Sequence, residues 1–85
     1  MTAIRYINRL KKLDQLIRTR STGNANQLAL KLGVSERCAY YCIHELKELG
    51  APVTWSYRDN SYIYEIEGRL KISFDPLIKN TKIIP

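Results

Sequence analysis

Apolar residues recur along this chain in two rhythms, and the change from one to the other divides it. From the start, Ile4, Ile7, Leu10, Leu13 and Ile17 step by three and four, which is one stripe of a helix with Tyr6 beside it. Thr2 stands where a cap would. Arg18 to Gly23, reading Arg-Thr-Arg-Ser-Thr-Gly, is turn chemistry. A second helix follows. Asn24 is its expected cap, Gln27 sits three residues on as in a capping box, and Leu28, Ala29 and Leu32 form its buried face. Gly33 should end that helix, because glycine enters the left-handed region without steric cost. Ser35 is then the expected N-cap of a third helix from about Glu36 to Leu49. Its core side is Ala39, Ile43 and Leu46, flanked by Cys42 and Leu49; Gly50 and Pro52 stop it.

Beyond Pro52 the period becomes two. Val53, Trp55 and Tyr57 alternate with Thr54 and Ser56, and Tyr62, Tyr64 and Ile66 alternate with Ile63 and Glu65. With Arg58-Asp59-Asn60-Ser61 as the turn, this predicts a β-hairpin. Leu70, Ile72 and Phe74 are candidates for a third short strand, ended by Asp75-Pro76. The expected fold class is α+β: three helices followed by a hairpin, the winged helix-turn-helix arrangement. Residues 1–76 form one domain on this reading and 77–85 a tail carrying Leu77, Ile78, Ile83 and Ile84.

Composition narrows the function. At 45% hydrophobic and 26% charged, the chain has the make-up of a globular domain rather than a disordered one. No apolar run approaches the ~18–20 residues of a spanning helix. Arg5, Arg9, Lys11 and Lys12 interrupt the N-terminal apolar pattern, unlike a signal peptide, so a cytoplasmic location is expected. A single histidine, with no nucleophile paired to carboxylates and no glycine-rich phosphate loop, gives no catalytic constellation; no enzyme activity and no cofactor are expected. Cys38 and Cys42 lie four apart on one helix and His44 on another face, so small core residues explain them better than a metal site.

The net charge of +6 favours an anionic partner, but it is unevenly placed. Residues 1–24 carry Arg5, Arg9, Lys11, Lys12, Arg18 and Arg20 against Asp14 alone. Residues 25–50 balance Lys31, Arg37 and Lys47 against Glu36, Glu45 and Glu48. The third helix is therefore not basic. Arg5, Arg9 and Lys12 make a ridge at i, i+4 and i+7, read here as a solvated face contributing long-range attraction.

Two short helices joined through Gly33-Val34-Ser35 carry the helix-turn-helix signature, whose second helix enters the DNA major groove. The run L-A-x-x-L-G-V-S-x-R-x-x-Y-x-x-I-x-E-L-K-x-L-G-A-P-V, from Leu28 to Val53, resembles the N-terminal winged helix of DeoR-type and WYL-type bacterial regulators, over roughly residues 4–66. The resemblance implies a DNA-binding transcriptional regulator. Those regulators carry a ligand-sensing domain after the wing; no small-molecule effector domain is evident in this chain. They also have basic residues after the cap serine and after the tyrosine, where this chain has Glu36 and Tyr41. That departure reduces phosphate contact by the third helix itself.

The expected double-stranded DNA contacts lie mostly on the outer side of that helix. Arg37 can fork to guanine, Tyr41 and His44 can touch bases or phosphates, and Tyr40 can donate to a phosphate. Ser35 combines capping with a place near a phosphate, as does Asn24, although capping alone accounts for Asn24. Arg58 at the hairpin tip can reach the backbone or minor groove; an ordinary polar turn explains it equally well. Trp55, Tyr57, Tyr62 and Tyr64 are read as sheet packing rather than base stacking, with one or two of the tyrosines left on the surface. A lone module buries too little surface for tight specific binding, so a homodimer is expected, with the tail as a candidate contact. The alternative is a protein-interaction module on the same fold, using the neutral helix and its tyrosines.

Overall fold

The computed structural model describes residues 3–72. Helix α1 spans Ala3–Arg18, α2 Ala25–Leu32 and α3 Glu36–Glu48; strands β1, Val53–Ser56, and β2, Ser61–Tyr64, pair antiparallel. The order is that of a winged helix-turn-helix, as the periodicities predict.

The local causes are visible. The Asn24 side chain accepts from Gln27 N at 2.8 Å while Gln27 Oε1 accepts from Asn24 N at 2.8 Å, a complete capping box. At the other end of α2, Gly33 has φ 71°; its N–H goes to Leu30 O and that of Val34 to Ala29 O. This is a Schellman motif, which satisfies the last carbonyls and reverses the chain within two residues. Ser35 Oγ then accepts from Cys38 N at 3.1 Å, opening α3.

Leu10, Leu13 and Ile17 of α1, Leu28 and Ala29 of α2, Ala39, Cys42, Ile43 and Leu46 of α3, and Val53 of β1 form one buried cluster. Tyr62 and Tyr64 pack against it from β2, and Trp55 meets Tyr62 edge-on across the strands at 4.9 Å. Four expectations are corrected. Ile4 is 70% exposed, ahead of the buried part of α1, which starts at Leu10. Leu49, expected on the core flank, is 63% exposed just past the end of α3. Tyr57 is 92% exposed: it follows the last residue of β1 and belongs to the turn, not the sheet face. No third strand forms through Leu70 and Ile72, because Leu70 N donates to the buried Asp14 carboxylate at 2.8 Å instead of to a ladder. Phe74, Thr2 and the residue 77–85 tail lie outside the described residues.

Buried polar groups tie the hairpin to the helices. Asp14 on α1 accepts from Tyr64 Oη at 2.6 Å, from Leu70 N and from Arg18 Nε at 3.0 Å. In the α1–α2 loop, Thr22 Oγ1 accepts from Tyr62 N at 2.8 Å, while Thr22 N donates to Ser61 Oγ at 3.1 Å. Thr22 thus pins the start of β2 to the α1–α2 loop through side-chain bonds. Among the described residues no buried side-chain polar atom is left without a partner, and no helix is long and apolar enough to cross a membrane.

Candidate nucleic-acid interface

Burying Ala39, Ile43 and Leu46 fixes the rotation of α3 and turns Arg37, Tyr40, Tyr41, His44 and Glu48 outward. All five are exposed, and they form one surface running along the helix from its first turn. His44 Nε2 lies 3.8 Å from Glu48 Oε2, one turn on, so part of this face is acidic. At its edge, Glu45 Oε1 accepts from the Tyr6 hydroxyl of α1 at 2.6 Å. That bond pushes the Tyr6 hydroxyl up to about 12, and the charge of Glu45 holds the Tyr41 hydroxyl above the ordinary tyrosine range. Both phenols are therefore donors at neutral pH.

Ser35 stands at the start of α3 with its hydroxyl used as the cap. Asn24 is likewise committed to the N-terminus of α2 and lies on a separate helix end from the α3 face. Arg58 projects from the hairpin tip, its side chain 87% exposed, with Nε 4.0 Å from Asp59 Oδ1. The Asp59 carboxylate is engaged elsewhere: Oδ2 accepts from Ser56 Oγ at 2.9 Å and from Arg20 Nη1 at 2.7 Å. These bonds hold its carboxyl below the usual range, the Ser56 contact first and Arg20 second. The structure thus brings Arg37, Tyr40, Tyr41 and His44 together on one face, and sets Asn24 and Arg58 apart on α2 and the wing.

Sequence reasoning passed over two features. Arg20 ties the α1–α2 loop to the wing tip through Asp59, a contact across 39 residues with no local pattern to announce it. Tyr57 stands beside Arg58 at the same tip, edge-on to Trp55 at 6.2 Å; the alternation runs on through Tyr57, so the sequence carries no signal that the strand stops at Ser56. The two thiols read as packing: Cys42 is buried, and burial pushes its thiol up to about 11. Among the described residues no group of three or more histidine, cysteine or acidic side chains is placed to hold a metal.

Residues 8–56, more than half of the chain, match a family model described as an HTH domain. The protein belongs to this helix-turn-helix family, a DNA-binding one, and its hairpin gives the domain the winged form. No curated protein and no solved structure matches the chain.

Proposed function

We propose that this protein is a sequence-specific double-stranded DNA-binding protein acting as a small transcriptional regulator in the cytoplasm. One observation carries the reading: α3, held by a capped tight turn, presents Arg37, Tyr40, Tyr41 and His44 to solvent from one face. A helix so mounted fits the major groove, about 12 Å wide. In this arrangement Arg37 reads a base edge, Tyr41 and His44 contact bases or phosphates, and Tyr40 donates to a phosphate. Ser35 and Asn24 bring helix N-termini near the backbone, and Arg58 reaches it from the wing. A homodimer, reading two half-sites, supplies the contact area that one module lacks.

Selection from random duplexes with the purified protein tests this, followed by affinity measured across a salt series. A recovered motif, with log K falling linearly in log salt, is the expected result. No enrichment would instead favour the protein-interaction reading, which draws on the exposed Tyr40 and Tyr41 and predicts contacts that salt hardly weakens.

A further inference from the structure

The groove-entering role proposed for α3 leaves an electrostatic gap. Residues 25–50 carry no net charge, and Glu36 and Glu48 are exposed. Phosphate attraction strong enough to hold a duplex must come from another element. Helix α1 supplies the candidate, because Arg5, Arg9 and Lys12 share one side of it. Two contacts fix where that side looks. The Tyr6 hydroxyl donates to Glu45 of α3, and Arg9 Nη1 lies 3.7 Å from Sγ of Cys38 in the first turn of α3. Arg9 is accordingly half-buried against the start of the recognition helix, while Arg5 and Lys12, a turn to either side, are exposed. The ridge is solvated at Arg5 and Lys12, as its spacing suggests, but Arg9 anchors it beside α3. It runs along the flank of α3, beside the turn that carries Ser35 and Arg37.

We propose that Arg5, Arg9 and Lys12 form a phosphate-binding surface that grips the backbone bordering the groove entered by α3. This rests on the DNA-binding reading above and adds a second element to it. Charge complementarity selects the occupant. The one acid in residues 1–24, Asp14, is buried and turned away, accepting from Tyr64, Leu70 and Arg18. That acid is therefore engaged on a different side of α1 from the ridge. Such a surface grips without reading sequence, so it supplies affinity where α3 supplies preference.

The test uses the full chain and a duplex recovered by selection. The Arg5→Gln/Lys12→Gln double variant alters only exposed positions, and its thermal melt checks the fold. Its plot of log K against log salt should be shallower than wild type by about 2, at ~0.9 per lost phosphate contact, with the selected motif unchanged. The charge-conserving pair Arg5→Lys/Lys12→Arg should keep the wild-type slope. An unchanged slope in the glutamine variant overturns the ridge while leaving the α3 reading in place. A slope lost equally in the charge-conserving pair marks a structural effect and also overturns it. Absence of duplex binding by the wild-type protein overturns both readings.

Discussion

Arg37 stands in the first turn of α3 on its exposed face, where a guanidinium can fork to a guanine edge. From that place in the first turn of α3, replacing Arg37 with alanine should weaken binding to the selected duplex by ~1–3 kcal/mol and relax the motif at one base pair. A repeat selection with the variant checks this, and an unaltered motif would remove Arg37 from the reading face. Tyr6 offers a different handle, because its hydroxyl is held up at about 12 by the bond to Glu45. Folded Tyr6 keeps its proton while the unfolded chain, near the ordinary value of 10.0, releases it. The bond's stabilisation is therefore complete below about pH 10 and is lost as pH rises toward about 12. Tyr6→Phe should flatten that part of a stability-against-pH curve from denaturant titrations; an equally steep fall in the variant would assign the limb to other groups. At this scale the sequence was legible wherever one residue acts on its neighbours. Asn24 with Gln27, Gly33, and Ser35 were each readable because a cap or turn needs only that residue and the chain beside it. Asp14, Thr22 and Ser61 were not. Each is polar and buried because of partners at least 39 residues away, and no local pattern records such a partner.

Among the elements, α2 and α3 depend on each other through the turn and through one shared core. Leu28 is fully buried beneath α3, alongside Ala39, Ile43 and Leu46. Leu28→Ala should cost ~2–5 kcal/mol, a large part of the ~5–15 kcal/mol that holds a domain together. Chemical denaturation reads this directly; a midpoint equal to wild type would mean that the inward face of α2 is wrongly assigned. Helix α1 shows where periodicity misleads. Its stripe runs from Ile4, but at 16 residues it extends about 24 Å, twice the length of the 8-residue α2. Burial starts only where neighbours reach it, so Leu10, Leu13 and Ile17 are core and Ile4 is not. The hairpin shows the same limit. Alternation located β1 and β2 but overran both, since Tyr57 and Ile66 lie past the strand ends, and alternating residues after Glu67 do not make a strand when their backbone donors have another acceptor, as Leu70 has in Asp14.

For the whole molecule the open quantity is how many copies meet the DNA. A single winged module of this size buries about 600–1,000 Å² of its surface on a duplex, at the small end of specific complexes. The α3 face is electrostatically neutral apart from its neighbours, which lowers the affinity of one copy further. Two copies related by a twofold axis would place their α3 helices about 34–36 Å apart, in successive major grooves, and double the contact. Apolar surface for such a contact exists away from α3's reading face: Leu49 and Ile66, 63% and 72% exposed, border a groove of about 710 Å³ shared with Pro52 and Leu70. The expected outcome is a dimeric mass in sedimentation at high micromolar concentration, and two copies on a duplex bearing two selected half-sites. Leu49→Glu should shift the mass toward the monomer while leaving the melting transition in place, because Leu49 contributes little to the core. Deleting residues 80–85 separates the tail's contribution: a dimer that survives the deletion but not Leu49→Glu puts the contact at the groove. A monomer both free and on a duplex with a single half-site, with two half-sites filled independently, would end the dimer model and leave the contacts of one copy, α3, the α1 ridge, Ser35, Asn24 and Arg58, as the whole of the interface.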